Sequence, residues 1–266
     1  MSISESKAAL RIHIPENIAK FVEAENCASF NLARYYCTQT QIDIIKDIIN
    51  DIELADMYKE YGVDYVNTTL LYGETGTGKT TFARFLSNQL DKDFVYLNFS
   101  SLMDGGFGNT EKNLTTVFRY IAAQDCVFMI DEIDCIATSR TQSHNDTLKS
   151  ITVALMQNLD YCKAHTPNAI ILAATNVIEV LDPALLSRFS IKREIPLLGN
   201  EEKMGFVLKY IKDLDVPYDE EQISYYIARS SRITQRVMEQ DIIRALGTWL
   251  REGKKGTIVL KGYRND

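Results

Sequence analysis

The sequence predicts an α/β chain: a parallel sheet with flanking helices, followed by a small helical domain. Up to Gly199, short apolar runs alternate with longer stretches of helical period, and strands that alternate with helices build parallel sheets. Two of those runs, 126–130 and 169–173, are apolar at every position, as central strands buried on both faces are. Beyond Gly199 the helical period continues without a comparable run. The boundaries that follow are 1–36 for an amino-terminal arm, 37–199 for the α/β domain and 200–266 for the helical one.

In the arm, Ile12, Ile14, Ile18 and Phe21-Val22 suggest short amphipathic pieces that pack on a neighbour. Residues 39–61 carry Ile42, Ile45, Ile49, Ile52 and Leu54 among Asp, Lys and Glu, which predicts a helix burying one face. The run 69–72 reads as a strand, 81–90 as the helix after it, and 94–97 as a second strand. Residues 110–123 read as a helix capped by Asn109 or Thr110, with Leu114, Val117, Phe118 and Ile121 on one side. The third strand, 126–130, is followed by a polar loop, 138–146, and a helix, 147–161. Strands at 169–173 and 191–197 complete the sheet. Helices at 201–213, 219–230 and 234–252 form the last domain, with Pro217 separating the first two. Residues 257–260, Thr-Ile-Val-Leu, suggest one more short strand.

A net charge of −7 speaks against a general nucleic-acid surface, since phosphate neutralisation usually shows as net basicity. The five cysteines form no C-x-x-C pair, and their odd number suits free thiols in a reducing cytosol. The amino end lacks the apolar core of a secretory signal, and no uncharged apolar run reaches the roughly 18 residues of a membrane span. The expected location is cytoplasmic, with no membrane partner.

The chemistry centres on Gly73-Glu74-Thr75-Gly76-Thr77-Gly78-Lys79-Thr80, which fits G-x-x-x-x-G-K-[ST] between a strand and a helix. Glycines there admit positive φ, so consecutive N–H groups converge on one concavity at a helix N-terminus, where anions are favoured. Gly73 to Thr81 is therefore the expected nucleotide-binding stretch. Lys79 would reach the β- and γ-phosphates and the Thr80 hydroxyl would ligate Mg²⁺. The run 126–130 ends in Asp131-Glu132-Ile133-Asp134, and carboxylates outside the carboxyl end of a strand can face bound phosphates. Asp131 is the expected Mg²⁺ group and Glu132 the base that orients and deprotonates the attacking water. After the next strand, the Asn176 amide is placed to bond the γ-phosphate and that water.

This ordered set resembles the AAA+ ATPases, and within them the AAA clade, over residues 39–250. The resemblance implies a P-loop NTPase fold with a helical lid, a single ATPase module using ATP and Mg²⁺, and a homo-oligomeric ring, commonly a hexamer. The stretch Leu181-Asp182-Pro183-Ala184-Leu185-Leu186-Ser187-Arg188-Phe189 is similar to the clade's arginine-finger segment. Arg188 would then reach the neighbouring subunit's γ-phosphate, against the plainer reading of an intrachain ion pair. The clade usually carries two arginines there; this shortened stretch keeps one, with Arg193 a weaker candidate. Thr234-Gln235-Arg236-Val237 resembles the second sensor of some AAA+ members, with Arg236 on the phosphates and Arg232 its competitor.

What such a ring would act on stays open. The loop Gly105-Gly106-Phe107-Gly108 stands where many AAA proteins grip a polypeptide, but Phe107 lies one residue past the usual aromatic position and equally suits a staple to the next helix. A protein remodeller is one reading, specified by a separate substrate, effector or adaptor protein. A nucleic-acid-linked loader or transposition regulator is a second, resting on Arg251, Lys254, Lys255, Lys261 and Arg264, cations that a helix C-terminus also explains. A third is an ATP-dependent switch or scaffold that recruits an effector.

Overall fold

The structure, a computed structural model, describes residues 9–99, 102, 107–136, 145–165 and 168–262. Its elements run α1 (Glu16–Ala19), β1 (Val22–Glu25), α2 (Gln39–Glu60), β2 (Thr68–Tyr72), α3 (Lys79–Gln89), β3 (Asp93–Asn98), α4 (Phe107–Ile121), β4 (Cys126–Asp131), α5 (Asn145–His165), β5 (Ile170–Thr175), α6 (Pro183–Leu186), β6 (Ile191–Glu194), α7 (Asn200–Asp213), α8 (Glu220–Ala228) and α9 (Gln235–Arg251). The six strands form one sheet in the order β1-β3-β4-β5-β2-β6. All pairings are parallel except β1 with β3. The expected α/β class is therefore the observed one.

The chain divides into two compact units. The first, Met1–Phe30, Ile42–Gly73 and Lys79–Glu194, holds the whole sheet. Its centre is apolar on both faces: every residue of β5 is buried, as are the first five of β4. Phe118 of α4 meets Phe128 of β4 edge to face, with ring centroids 5.5 Å apart.

The second unit comprises Asn31–Gln41, Glu74–Gly78 and Ile195–Asp266. Its core is built from α7, α8 and α9 through Val207, Ile211, Ile223, Ile227, Met238 and Ile242. The helices start on local signals: the Asp219 carboxylate accepts from Glu221 N–H, and the Thr234 hydroxyl from Val237 N–H. Tyr36 lies so close against α7 that a side chain at Gly205 would collide with its ring.

Three local readings change. The strand β1 was not foreseen, because only Val22 of its four residues is buried and two are Glu; its pairing to the β3 edge is a tertiary event. Helix α4 begins at Phe107, so Asn109 and Thr110 lie inside it, Thr110 fully buried. Residues 257–260 are extended but join no sheet. The polar loop expected at 138–146 falls mostly outside the described residues.

Candidate functional site

The sheet order and register gather the predicted groups. Parallel pairing sets Asn98 beside Asp131 and Tyr72 beside Thr175, so β2, β4 and β5 end at one edge. Ligands bind outside such carboxyl ends in open α/β sheets. Gly76 (φ 86°) and Gly78 (φ 92°) hold backbone conformations that side chains rarely permit, which explains glycine at both positions. The Thr77 hydroxyl donates to the Glu74 carbonyl at 2.9 Å and tightens the turn.

Helix α3 starts at Lys79, which places Lys79 and Thr80 in its first turn. Lys79 is buried, and its Nζ donates to the Gly73 carbonyl at 2.7 Å and to Asn176 Oδ1 at 2.9 Å. Lysine and asparagine, nearly a hundred residues apart in sequence, thus touch. The Thr80 hydroxyl donates to Asp131 Oδ2 at 2.6 Å, while Asp131 Oδ1 accepts from Glu132 N–H at 2.9 Å. Glu132 follows the strand with φ 59°, a left-handed conformation that costs a non-glycine residue on the order of 1 kcal/mol. Strain of this kind collects at functional positions, and it leaves the Glu132 side chain exposed at the strand end.

Two supporting residues were not assigned from sequence. Asp134, in the 3₁₀ turn Ile133–Ile136, accepts from Asn176 N–H at 3.2 Å and so ties the end of β5 to the turn after β4. The Tyr96 hydroxyl lies 3.5 Å from Asp131 Oδ2. Burial, then the Asp131 and Glu132 carboxylates, push the Tyr96 phenol up to about 12. Strand parity held the signal for Tyr96, because it shares a face of β3 with Asn98, which pairs with Asp131.

Arg188 stands apart from these groups. Its guanidinium donates to the Ala184 carbonyl at 3.0 Å and Ser187 Oγ at 3.2 Å, and meets Asp160 Oδ2 at 3.3 Å. Arg193, on edge strand β6, pairs with Asp47 at 2.6 Å. In the second unit, the loop residues 74–78 meet the start of α9. Arg232 pairs with Glu74 at 2.6 Å, and Arg236 N–H donates to the Gly76 carbonyl at 3.2 Å. The Arg236 side chain itself is exposed, so Arg232 reaches the loop by its guanidinium and Arg236 by its backbone. Gln235 occupies the space a side chain at Gly78 would need. Thr75 and Thr81 are exposed. Phe107 opens α4, but its side chain, like Gly105 and Gly106, lies outside the described residues.

A left-handed glycine loop running into a helix, a buried lysine, and a threonine hydroxyl on a strand-end carboxylate define the class of phosphate-loop nucleotide-binding proteins. The model of the family described as "ATPase family associated with various cellular activities (AAA)" matches residues 69–197. Over these residues the chain carries an AAA ATPase domain. It is 32% identical over 189 residues to a proteasome-activating nucleotidase of Sulfurisphaera tokodaii, covering 67% of this chain and 48% of that protein. With the cell division control protein 48 homolog C of Arabidopsis thaliana it shares 31% over 167 residues, 62% of this chain and 20% of that protein. The chain thus spans less than half the length of these curated relatives. The crystal structure of the FIGL-1 AAA domain superposes with a TM-score of 0.70 at 22% identity, covering 91% of this chain and 82% of that one. Among the described residues no helix is long and apolar enough to cross a membrane.

Proposed function

We propose that this chain binds ATP with Mg²⁺ beside the ends of β2, β4 and β5, hydrolyses it, and works in the cytoplasm as one subunit of a homo-oligomeric ring, a hexamer by resemblance, that remodels a protein partner. The observation that carries the reading is the double junction of Lys79 Nζ with Asn176 Oδ1 and Thr80 Oγ1 with Asp131 Oδ2, at 2.9 and 2.6 Å. It joins the phosphate-loop cation and hydroxyl to groups from two further strands.

A hydroxyl and a carboxylate are the hard oxygen donors that Mg²⁺ takes. The ion would neutralise charge on the β- and γ-phosphates. Lys79 binds those same phosphates, and the loop N–H groups from Gly73 to Thr81 cradle them. Glu132, exposed on its strained backbone, takes the proton of the attacking water, and Asn176 orients that water with Asp134 fixing its backbone. Arg188 serves a neighbouring subunit. Its half-exposed pair with Asp160 is worth at most about 1 kcal/mol, so exchanging it for a phosphate is cheap. Arg236, in the first turn of α9, or Arg232, in the turn before that helix, answers to the nucleotide. The names of the relatives, a proteasome-activating nucleotidase and a cell division control protein, favour a protein substrate. Phe107 is the residue that would grip it.

The test is the solution mass of Glu132→Gln with and without Mg-ATP. A discrete ATP-dependent multimer with ATP retained is the expected result. A monomer under both conditions, with ATP bound, would overturn the shared site.

A further inference from the structure

A groove of about 1180 Å³ runs along α8, the start of α9 and residues 259–262, all within the second unit. One wall is the extended segment whose Thr-Ile-Val-Leu sequence favours a strand. Ile258 and Leu260 are buried, at 1% and 3% exposure, whereas Val259 is 45% exposed. Period two is thus kept without a sheet.

The inward residues use their backbone groups inside the unit. Ile258 N–H donates to the Pro217 carbonyl at 2.9 Å. Leu260 N–H donates to Gln222 Oε1 at 3.2 Å, and its carbonyl accepts from Gln222 Nε2 at 2.7 Å. The outward residues do the opposite: among the described residues, the N–H and C=O groups of Val259 and Lys261 meet no partner. An extended chain with open donors and acceptors is a template for another strand.

The side chains of the groove select the strand. Arg229 and Lys261 line it and are exposed, Arg229 lying over one face of the Tyr225 ring and donating to its hydroxyl, while Arg232 is paired with Glu74. The one carboxylate in the lining, Asp241, is 2% exposed and accepts from the Tyr226 hydroxyl at 2.8 Å. Cations without exposed carboxylates stand out in a chain of net charge −7. Tyr225 and Val237 add exposed apolar surface, 60% and 38% accessible.

We propose that this groove receives an extended acidic segment of a partner protein, which adds as a strand to the backbone of Val259 and Lys261. Its carboxylates meet Arg229 and Lys261, and an apolar side chain lies on Tyr225 and Val237. Main-chain bonds supply affinity in this mode and side-chain pockets supply specificity. A nucleic acid fits less well: phosphates satisfy the cations and the N–H groups but cannot donate to the open carbonyls.

The test is fluorescence anisotropy of a labelled, capped peptide in which Glu and Val alternate, titrated with the full chain. Saturable binding is expected, with Arg229→Glu/Lys261→Glu weakening it at least about tenfold through charge reversal at the groove. Val259→Pro removes one open donor while sparing the inward bonds of Ile258 and Leu260, and weakens binding several-fold, about the effect of one hydrogen bond. Backbone N-methylation of the peptide at alternate amides has the same effect without any change to the protein. ATP turnover in the absence of peptide stays at the wild-type level in both variants. No saturable binding at millimolar protein, equal binding when Lys replaces Glu, indifference to N-methylation, or tighter binding of oligo-dT would each overturn the proposal.

Discussion

Two buried lysines, one in each unit, show how similar surroundings serve different ends. Lys79 and Lys203 are 7% and 2% exposed, and both ammonium groups rest on neutral carbonyl oxygens. Lys79 holds Gly73 O and Asn176 Oδ1. Lys203, on α7, holds the carbonyls of Ser230 and Ser231, each at 3.0 Å, and Asn200 Oδ1 at 3.5 Å. The difference lies in what surrounds the oxygens. Gly73 opens a loop of positive-φ glycines whose N–H groups favour an anion, so in the proposed function the Lys79 charge would meet a bound phosphate as well. Ser230 and Ser231 close the turn after α8, and Lys203 ends there, pinning that turn to α7.

The largest effect that could break this contrast is Lys79→Ala. ATP turnover should fall by at least about 10³-fold, since both positioning and charge stabilisation are lost. Melting should shift little, because Gly73 and Asn176 are only half-buried and water can replace the ammonium. Retained turnover would mean that Lys79, like Lys203, is only structural. Next comes Lys203→Met, which leaves two carbonyls without their donor and should destabilise the second unit by about 2 kcal/mol in denaturant melts. Its turnover per folded chain should stay within about twofold, far below the loss of a group acting in the transition state; a loss like that of Lys79→Ala would erase the distinction.

A smaller effect lies in pH. Burial holds the Lys203 ammonium below its ordinary value, so the unfolded chain binds more protons in the window between the lowered folded value and 10.5. Stability should therefore rise with pH across that window, and Lys203→Met should flatten this part of the profile in pH-dependent melts. The smallest effect belongs to Tyr96, whose phenol is pushed up to about 12. A raised phenol stabilises fully below pH 10 and loses that contribution as pH rises through about 12. Tyr96→Phe should remove this alkaline loss, and an unchanged alkaline limb would mean that the phenol is no more shielded than in the unfolded chain.

The site was most legible where chemistry demands a residue type at a fixed short spacing. Gly76, Gly78, Lys79 and Thr80 sit within one turn of loop and helix, so local sequence carries their geometry. Asp131 and Glu132 could be placed because β4 is apolar at each earlier position and the change to carboxylates marks its end. Lys203 was illegible: in Glu201-Glu202-Lys203 it reads as one more solvated helix charge, and only the turn after α8 makes it a buried one. Arg188 was legible as an arginine in a segment similar to the clade's finger region, whereas its present partner, Asp160 on α5, depends on packing.

By itself, the sequence determined the alternation of strands and helices, the phosphate loop and the carboxylates after β4, because each rests on periodicity or on bonds within a few residues. Tertiary structure alone decided that β1 caps the sheet edge against β3, that Asp134 holds Asn176, that Tyr96 faces Asp131, and that residues 257–260 bond to Pro217 and Gln222 and join no sheet. Those outcomes depend on which distant segment fills the space beside a group. A one-dimensional pattern of polarity does not encode that choice, because many segments have the same local preference and only the packed core selects among them.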